Sequence, residues 1–164
     1  MQFEMRHTIE TDAPGFWALF FDRDFNRALT EHHGAETEIL EERTDERGIL
    51  HRRVEHRVPL KLPSFAKKIF GDGSCIEVGS YDAAAYRYCA QIIPKRGADK
   101  FMISAEAYTE PRGDKRCERV LLMENVVKIP GVGRAMEKLL EVQQRDAQTR
   151  MVGFVNDYLL GRSK

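Results

Sequence analysis

From Ala35 to Lys128 the sequence alternates with a period of two, and from Gly131 to Leu160 it repeats at a spacing of three to four. Alternation sends successive side chains to opposite faces of a strand, whereas the wider spacing gathers apolar residues on one stripe of a helix. The alternating part divides into six strands, residues 35–43, 48–58, 74–81, 85–93, 100–109 and 116–128. Turn formers separate them at Thr44–Arg47, Gly71-Asp72-Gly73, Asp82, Pro94–Gly97 and Pro111–Asp114. Most of these separators are too short for the crossover that parallel strands need, so the strands are read as antiparallel.

Residues 2–10 alternate as well, with Phe3, Met5, His7 and Ile9 on one face. Asp12-Ala13-Pro14 then marks a helix start, with Asp as cap and Pro in the first turn. The apolar run Gly15–Phe21 follows, and a second short helix, Asp22–His33, stops at Gly34. The last stretch is one helix, roughly 45 Å long at ~1.5 Å per residue, with Gly153 as the expected place of any bend. The order predicts an α+β fold in a single domain over residues 1–164. A curved antiparallel seven-stranded sheet, with two short helices near the N-terminus, wraps a long C-terminal helix and leaves an internal cavity between them.

Composition narrows the function classes. Hydrophobic residues make up 42%, with nine Phe and five Tyr, which is enough to build a core and excludes a disordered chain. The 26 Lys and Arg equal the 26 Asp and Glu, which argues against a nucleic-acid partner. Cys75, Cys89 and Cys117 form no CxxC pair, so reduced thiols are expected rather than disulfides or zinc ligands. The first residues carry no apolar signal core, and no run approaches 18 apolar residues. A cytoplasmic protein is expected, peripheral at membranes if it meets them at all.

The whole chain resembles the START-like (SRPBCC, helix-grip) superfamily, and within it an uncharacterised bacterial group. Ala13-Pro14-Gly15-Phe16-Trp17, Phe21-Asp22-Arg23-Asp24-Phe25, Val58-Pro59 and Leu62-Pro63-Ser64-Phe65 carry the resemblance, with Val127-Lys128-Ile129-Pro130-Gly131-Val132-Gly133 running into Met136-Glu137-Lys138-Leu139 as its most specific part. The resemblance implies a deep hydrophobic cavity between sheet and final helix. It implies no fixed chemistry, because one fold hosts many functions.

The sequence contains no GxSxG, HExxH or GxxxxGK(S/T) string. Asp22-Arg23-Asp24-Phe25-Asn26 starts like a calcium loop, but Arg27 stands where that loop needs Gly and His33 where it needs Glu. His51 and His56 lie five apart and face opposite sides of a strand. No metal, cofactor or catalytic residue is assigned.

Ligand-contacting residues are sought on the strands instead. Leu50, Arg52, Val54, His56 and Val58 share a face, and His51, Arg53, Glu55 and Arg57 form the solvated one. Arg52 and His56 either keep their tips in water at the strand margins or project into the cavity and fix the polar end of a ligand. A buried Arg52 needs an acidic partner, and Glu106 or Glu124 are the candidates. Tyr86 and Tyr88 either hydrogen-bond a ligand or pack their rings. The strand ending at Val127 leaves its inward face open, since both faces are semi-apolar; Met123 is taken as cavity lining. From the final helix the expected lining is Met136, Leu140, Gln143, Ala147, Met151 and Phe154, with Gln143 at the helix edge or aimed into a wet cavity.

The segment 57–71 combines Arg57, Lys61, Lys67 and Lys68 with Leu60, Leu62, Phe65, Ile69 and Phe70 and carries no acid. Pro59 and Pro63 keep it out of a regular strand. It is read as a gate at the cavity mouth, with Leu62, Phe65, Lys67, Lys68 and Phe70 in transient contact with an anionic membrane, or as a loop that closes the core. The leading expectation is a protein that binds, and transports or sequesters, a hydrophobic small molecule or lipid, such as a sterol or fatty acyl compound. The alternatives are a polyketide cyclase or aromatase acting through Arg52, His56 and Tyr88, and an interaction domain that uses the outer sheet face. Oligomeric state is left open.

Overall fold

The computed structural model describes residues 1–161. Its elements follow the expected order, with one short helix, α3, added between β3 and β4: β1 (Gln2–Ile9), α1 (Ala13–Phe21), α2 (Arg23–His33), β2 (Glu36–Thr44), β3 (Leu50–Arg57), α3 (Ser64–Phe70), β4 (Ser74–Asp82), β5 (Arg87–Pro94), β6 (Phe101–Pro111), β7 (Cys117–Val127) and α4 (Gly133–Leu159). The helix starts and stops are set by local chemistry. Asp12 caps α1 through the Gly15 amide, Asp22 caps α2 through the Phe25 amide, and Gly34 ends α2 in the left-handed conformation at φ 64°. α4 runs through Gly153 without a break.

All seven strands form one antiparallel sheet in the order β1-β7-β6-β5-β4-β3-β2. α4 packs across β7 and β1. The β7 alternation resolves with Cys117, Arg119, Leu121, Met123, Asn125 and Val127 facing inward, all of them buried. The buried Asn125 exchanges two hydrogen bonds with Gln144 of α4, donating from Nδ2 at 2.7 Å and accepting at 3.1 Å. α1 packs over the central strands, where Trp17 and Phe21 lie 4.8 and 4.7 Å from the Tyr81 ring of β4 and the Trp17 indole donates to Thr109 of β6.

The sheet is lined by small residues at its centre. Gly79, Ala90 and Ala105 are register partners on β4, β5 and β6, and Ala107 follows on β6. A row with almost no side-chain volume leaves room for a cavity above the sheet centre, while α4 rests on β7 and β1. β2, at the sheet edge, is exposed throughout; Glu36, Glu38, Glu41 and Glu42 and a bulge between Ile39 and Glu41 blunt that edge against pairing with another chain.

Candidate functional site

A cavity of about 470 Å³ lies between the central strands, α1, α2 and α4. Its volume falls within the ~300–1,000 Å³ typical of pockets that enclose drug-sized ligands. Ala90, Ala105, Ala107, Leu121 and Met123 form the sheet wall, and Gln143, Ala147 and Met151 the helix wall. Thr37, Ile39 and the loop Val58–Lys61 line it on the β2–β3 side.

One wall carries a polar cluster. Arg52 on β3 donates from Nε to the Tyr88 hydroxyl at 3.0 Å, and its Nη2 lies 3.3 Å from Glu77 Oε1. Tyr88 donates to the same Glu77 oxygen through a short hydrogen bond. His56 Nε2 approaches the other Glu77 oxygen at 3.3 Å, without hydrogen-bond alignment, and Nδ1 sits 3.1 Å from the Thr37 hydroxyl. The Arg52 guanidinium also rests 5.3–5.5 Å from the ring centres of Phe20, Phe21 and Tyr88.

The electrostatics follow from this packing. Burial opposes ionisation of Glu77, but His56, Arg52 and Tyr88 together outweigh it and hold the carboxyl down to about 2. Burial and the Glu77 charge push the Tyr88 phenol well above its ordinary range. For Arg52, burial works against the charge, and Tyr88 and Glu77 more than compensate. At neutral pH the cluster is a carboxylate held by a guanidinium and a neutral phenol. Its protons are committed, which suits orienting a polar group more than abstracting a proton.

A second polar group stands alone. Arg119 on β7 lines the same cavity and is only 4% exposed. Its Nη2 donates to Gln148 Oε1 at 2.9 Å, while Nε and Nη1 have no partner among the described residues. Burial lowers its pKa to about 10, which leaves it charged at neutral pH.

The structure brings Arg52, Val54, His56, Tyr88, Met123, Gln143, Ala147 and Met151 to the cavity wall. Tyr86 is not there: it occupies the β4–β5 turn with φ 48°, so the alternation that pointed it inward starts one residue later. Met136 and Leu140 are buried against the sheet end and Phe154 packs on Phe25 and His32, so these three lie outside the lining. The partner of Arg52 is Glu77, not Glu106 or Glu124. Glu106 faces outward to Arg87, and Glu124 accepts from Gln2 on the outer face.

At the expected gate, Leu62 and Phe70 are buried, and the Phe70 ring lies 4.1 Å from that of Phe101. They close the core and do not reach a surface. Phe65, half exposed, and the exposed Lys67 and Lys68 remain on the outside of α3. The loop Val58–Lys61, rather than α3, borders the cavity.

Sequence reasoning missed Glu77, Arg119, Gln148 and Thr37. A signal existed for two of them: Glu77 shares its strand face with Cys75, Gly79 and Tyr81, and Arg119 shares its face with Leu121 and Met123. A charge on an otherwise apolar face is the pattern of a buried polar site.

This arrangement, a curved sheet gripping a long C-terminal helix over a cavity, is the START-like helix-grip fold. Residues 4–159 match the family described as "Protein of unknown function (DUF2505)", and the chain belongs to that family. No curated protein matches. Solved structures of similar fold include the Zhui aromatase/cyclase of a Streptomyces species, at 15% identity and a TM-score of 0.71, covering 100% of this chain and 96% of the other. Truncated norcoclaurine synthase from Thalictrum flavum matches at 16% identity and 0.68, over 98% of this chain and 93% of the other. A START superfamily protein from Mycobacterium smegmatis matches at 14% and 0.64, over 96% and 98%. At such identities the likeness establishes the fold alone. Among the described residues no helix is long and apolar enough to cross a membrane, and no group of three or more His, Cys, Asp or Glu is placed to hold a metal.

Proposed function

We propose that this protein binds a hydrophobic small molecule, of lipid-like or fused-ring character, in the cavity between sheet and α4, and carries or sequesters it. The observation that supports this reading is the pairing of an apolar enclosure with one polar cluster, Arg52–Glu77–Tyr88, whose protons are already committed, with His56 beside it. Apolar walls supply affinity, and a few placed polar groups supply orientation. Protein stripped of bound lipid and titrated with fatty acids, sterols and phospholipids is expected to form one-to-one complexes in native mass spectrometry. Failure to bind any member of the panel overturns the reading.

A cyclase or aromatase activity is the second reading, favoured by the convergence of Arg52, His56 and Tyr88 around one carboxylate. On this reading Arg52 polarises a ligand carbonyl, and His56 moves a proton, imidazole being the side chain that ordinarily does so near neutral pH. Incubation with a poly-β-ketone thioester separates the two readings: a cyclised product lost in His56→Ala supports catalysis, and unchanged recovery of the chain supports carriage. Contact with an anionic membrane through the outer side of α3, which follows in the chain the loop Val58–Lys61 that borders the cavity, belongs to the same proposal.

A further inference from the structure

The Arg52 cluster is electrostatically closed, but the cavity is not. Among its described lining residues the arginines and lysines are Arg52, Lys61, Arg119 and Arg150, with the imidazoles of His33 and His56 beside them, and the one acid is Glu77. Glu77 is held by Arg52, and Arg150 pairs with Asp146 at 3.1 Å. Arg119 has neither kind of partner.

Every element around Arg119 offers it a neutral group. Gln148 comes from α4, and the register neighbours are His7 on β1 and Thr109 on β6. Thr109 already accepts from the Trp17 indole. His7 is itself held toward its neutral form, by burial first and by the Arg119 charge second. The adjacent acid, Glu118, points to the other face of the strand, where Arg6 and Arg112 take it at 2.7 Å. Three of the five N–H donors of the guanidinium, those on Nε and Nη1, therefore have no acceptor among the described residues. A buried unpaired charge is costly, and a guanidinium fork matches a carboxylate in both charge and shape.

We propose that Arg119 is the anion receptor of this cavity and that the ligand is an apolar carboxylic acid, seated with its carboxylate on Arg119 and its body against Leu121, Met123, Met151 and Val155. This rests on the reading that the cavity binds a hydrophobic small molecule, and it adds the charge of the ligand and the end at which that charge sits. β7 and β3 are four strand spacings apart, about 19 Å along the curled sheet. The carboxylate therefore sits on a different strand wall from Arg52, two strands from Tyr88, the nearest member of that cluster, which is left to meet a second polar group of the ligand.

Two acid–neutral pairs test the assignment by titration calorimetry: hexadecanoate against hexadecanol, and anthracene-2-carboxylate against anthracene. The first pair represents an acyl chain and the second a fused ring, so the arm that binds also identifies the source of the carboxylate. At least one acid is expected to bind wild-type protein tenfold or more tightly than its neutral partner. In Arg119→Met that preference falls to within about twofold while the neutral compound keeps its affinity, and in Arg119→Lys part of the preference returns. Arg119→Met without ligand is expected to melt at or above the wild-type temperature, because it removes an uncompensated buried charge. Equal affinity of wild-type protein for acid and neutral partners overturns the receptor assignment and leaves the hydrophobic cavity standing. Absence of binding by all four compounds also overturns the receptor assignment, and the cavity reading then stands or falls on the panel of fatty acids, sterols and phospholipids.

Discussion

The Tyr88 ring lies across Gly79 of the neighbouring strand so closely that a β-carbon at residue 79 would overlap the phenol hydroxyl. Only the absence of that carbon lets the ring lie flat enough to reach both Arg52 and Glu77. Gly79→Ala is expected to swing the ring away and break the cluster, at the cost of about 1–3 kcal/mol that overpacking usually carries. In a Tyr88→Ala background the atoms nearest that carbon are gone and the same substitution should cost less. A double-mutant cycle by urea unfolding reads the difference, and equal costs in the two backgrounds would show that the contact does not govern the position of the ring.

Much of this architecture was legible in the sequence. All seven strands, both N-terminal helices and α4 lie where alternation, caps and turn residues put them. The cluster was half legible. Arg52, His56 and Tyr88 were visible as polar residues on apolar faces, and Glu77 carries the same signal, but its pairing with Arg52 was not visible. Arg52 pairs in register with Gly79, and Glu77 with Val54, so their contact is a diagonal fixed by long-range strand register. Nothing within either segment encodes that register. Arg119 escaped for a different reason: both faces of β7 carry apolar residues, since Val120 on the other face is fully buried as well, so alternation alone did not choose a side.

The low pKa of Glu77 has a consequence for acid stability. Its carboxyl titrates at about 2 in the folded protein against a reference value of 4.5. A folded-state pKa below the unfolded one means stability that is present above pH ~4.5 and is lost as pH falls toward 2. The size is on the order of 3 kcal/mol at ~1.4 kcal/mol per pKa unit. Glu77→Gln is expected to destabilise the protein at neutral pH, because it leaves Arg52 buried without its counter-charge, and to flatten the slope of stability against pH over that window. Other acids whose pKa values are lowered, such as Glu118 and Asp72, contribute to the slope in both proteins, so the comparison is between the two curves. Parallel curves between pH 4.5 and 2 would refute the assignment.

The outer side of α3 makes a prediction about membranes. Lys67 and Lys68 are exposed and have no ion-pair partner among the described residues, and Phe65 stands half exposed beside them. Each basic residue near an anionic surface contributes about 1 kcal/mol, which supports weak and reversible docking. Binding to phosphatidylserine-containing vesicles is expected at low salt and should fade by 0.5 M salt, where the screening length is only several ångströms. Lys67→Glu combined with Lys68→Glu should weaken it more than about tenfold. The thermal melt should stay within a degree or two, because neither side chain packs on the core. Wild-type protein that ignores such vesicles at low salt removes the docking idea and leaves residues 57–71 as a core-closing loop.

α4 is held to the sheet by polar contacts as well as by its apolar stripe. Glu137 accepts from the Val127 amide, Gln144 exchanges two hydrogen bonds with Asn125, and Gln148 accepts from Arg119, so three side chains along one side of the helix engage β7 in order. The middle contact is the most demanding, because Asn125 is fully buried and its amide has no water to fall back on. Asn125→Ala should strand the Gln144 amide and open a small void, destabilising the protein by about 2–3 kcal/mol. Gln144→Ala should strand Asn125 in the same way. Once either partner is gone the other has nothing left to lose, so the double variant is expected to cost less than the sum of the singles by at least ~1 kcal/mol. Additive costs would mean that the two amides are satisfied elsewhere. A large coupling would mean that α4 is fixed to β7 at this point, so that ligand exchange falls to the opposite side of the cavity, where Thr37, Ile39 and the loop Val58–Lys61 border it.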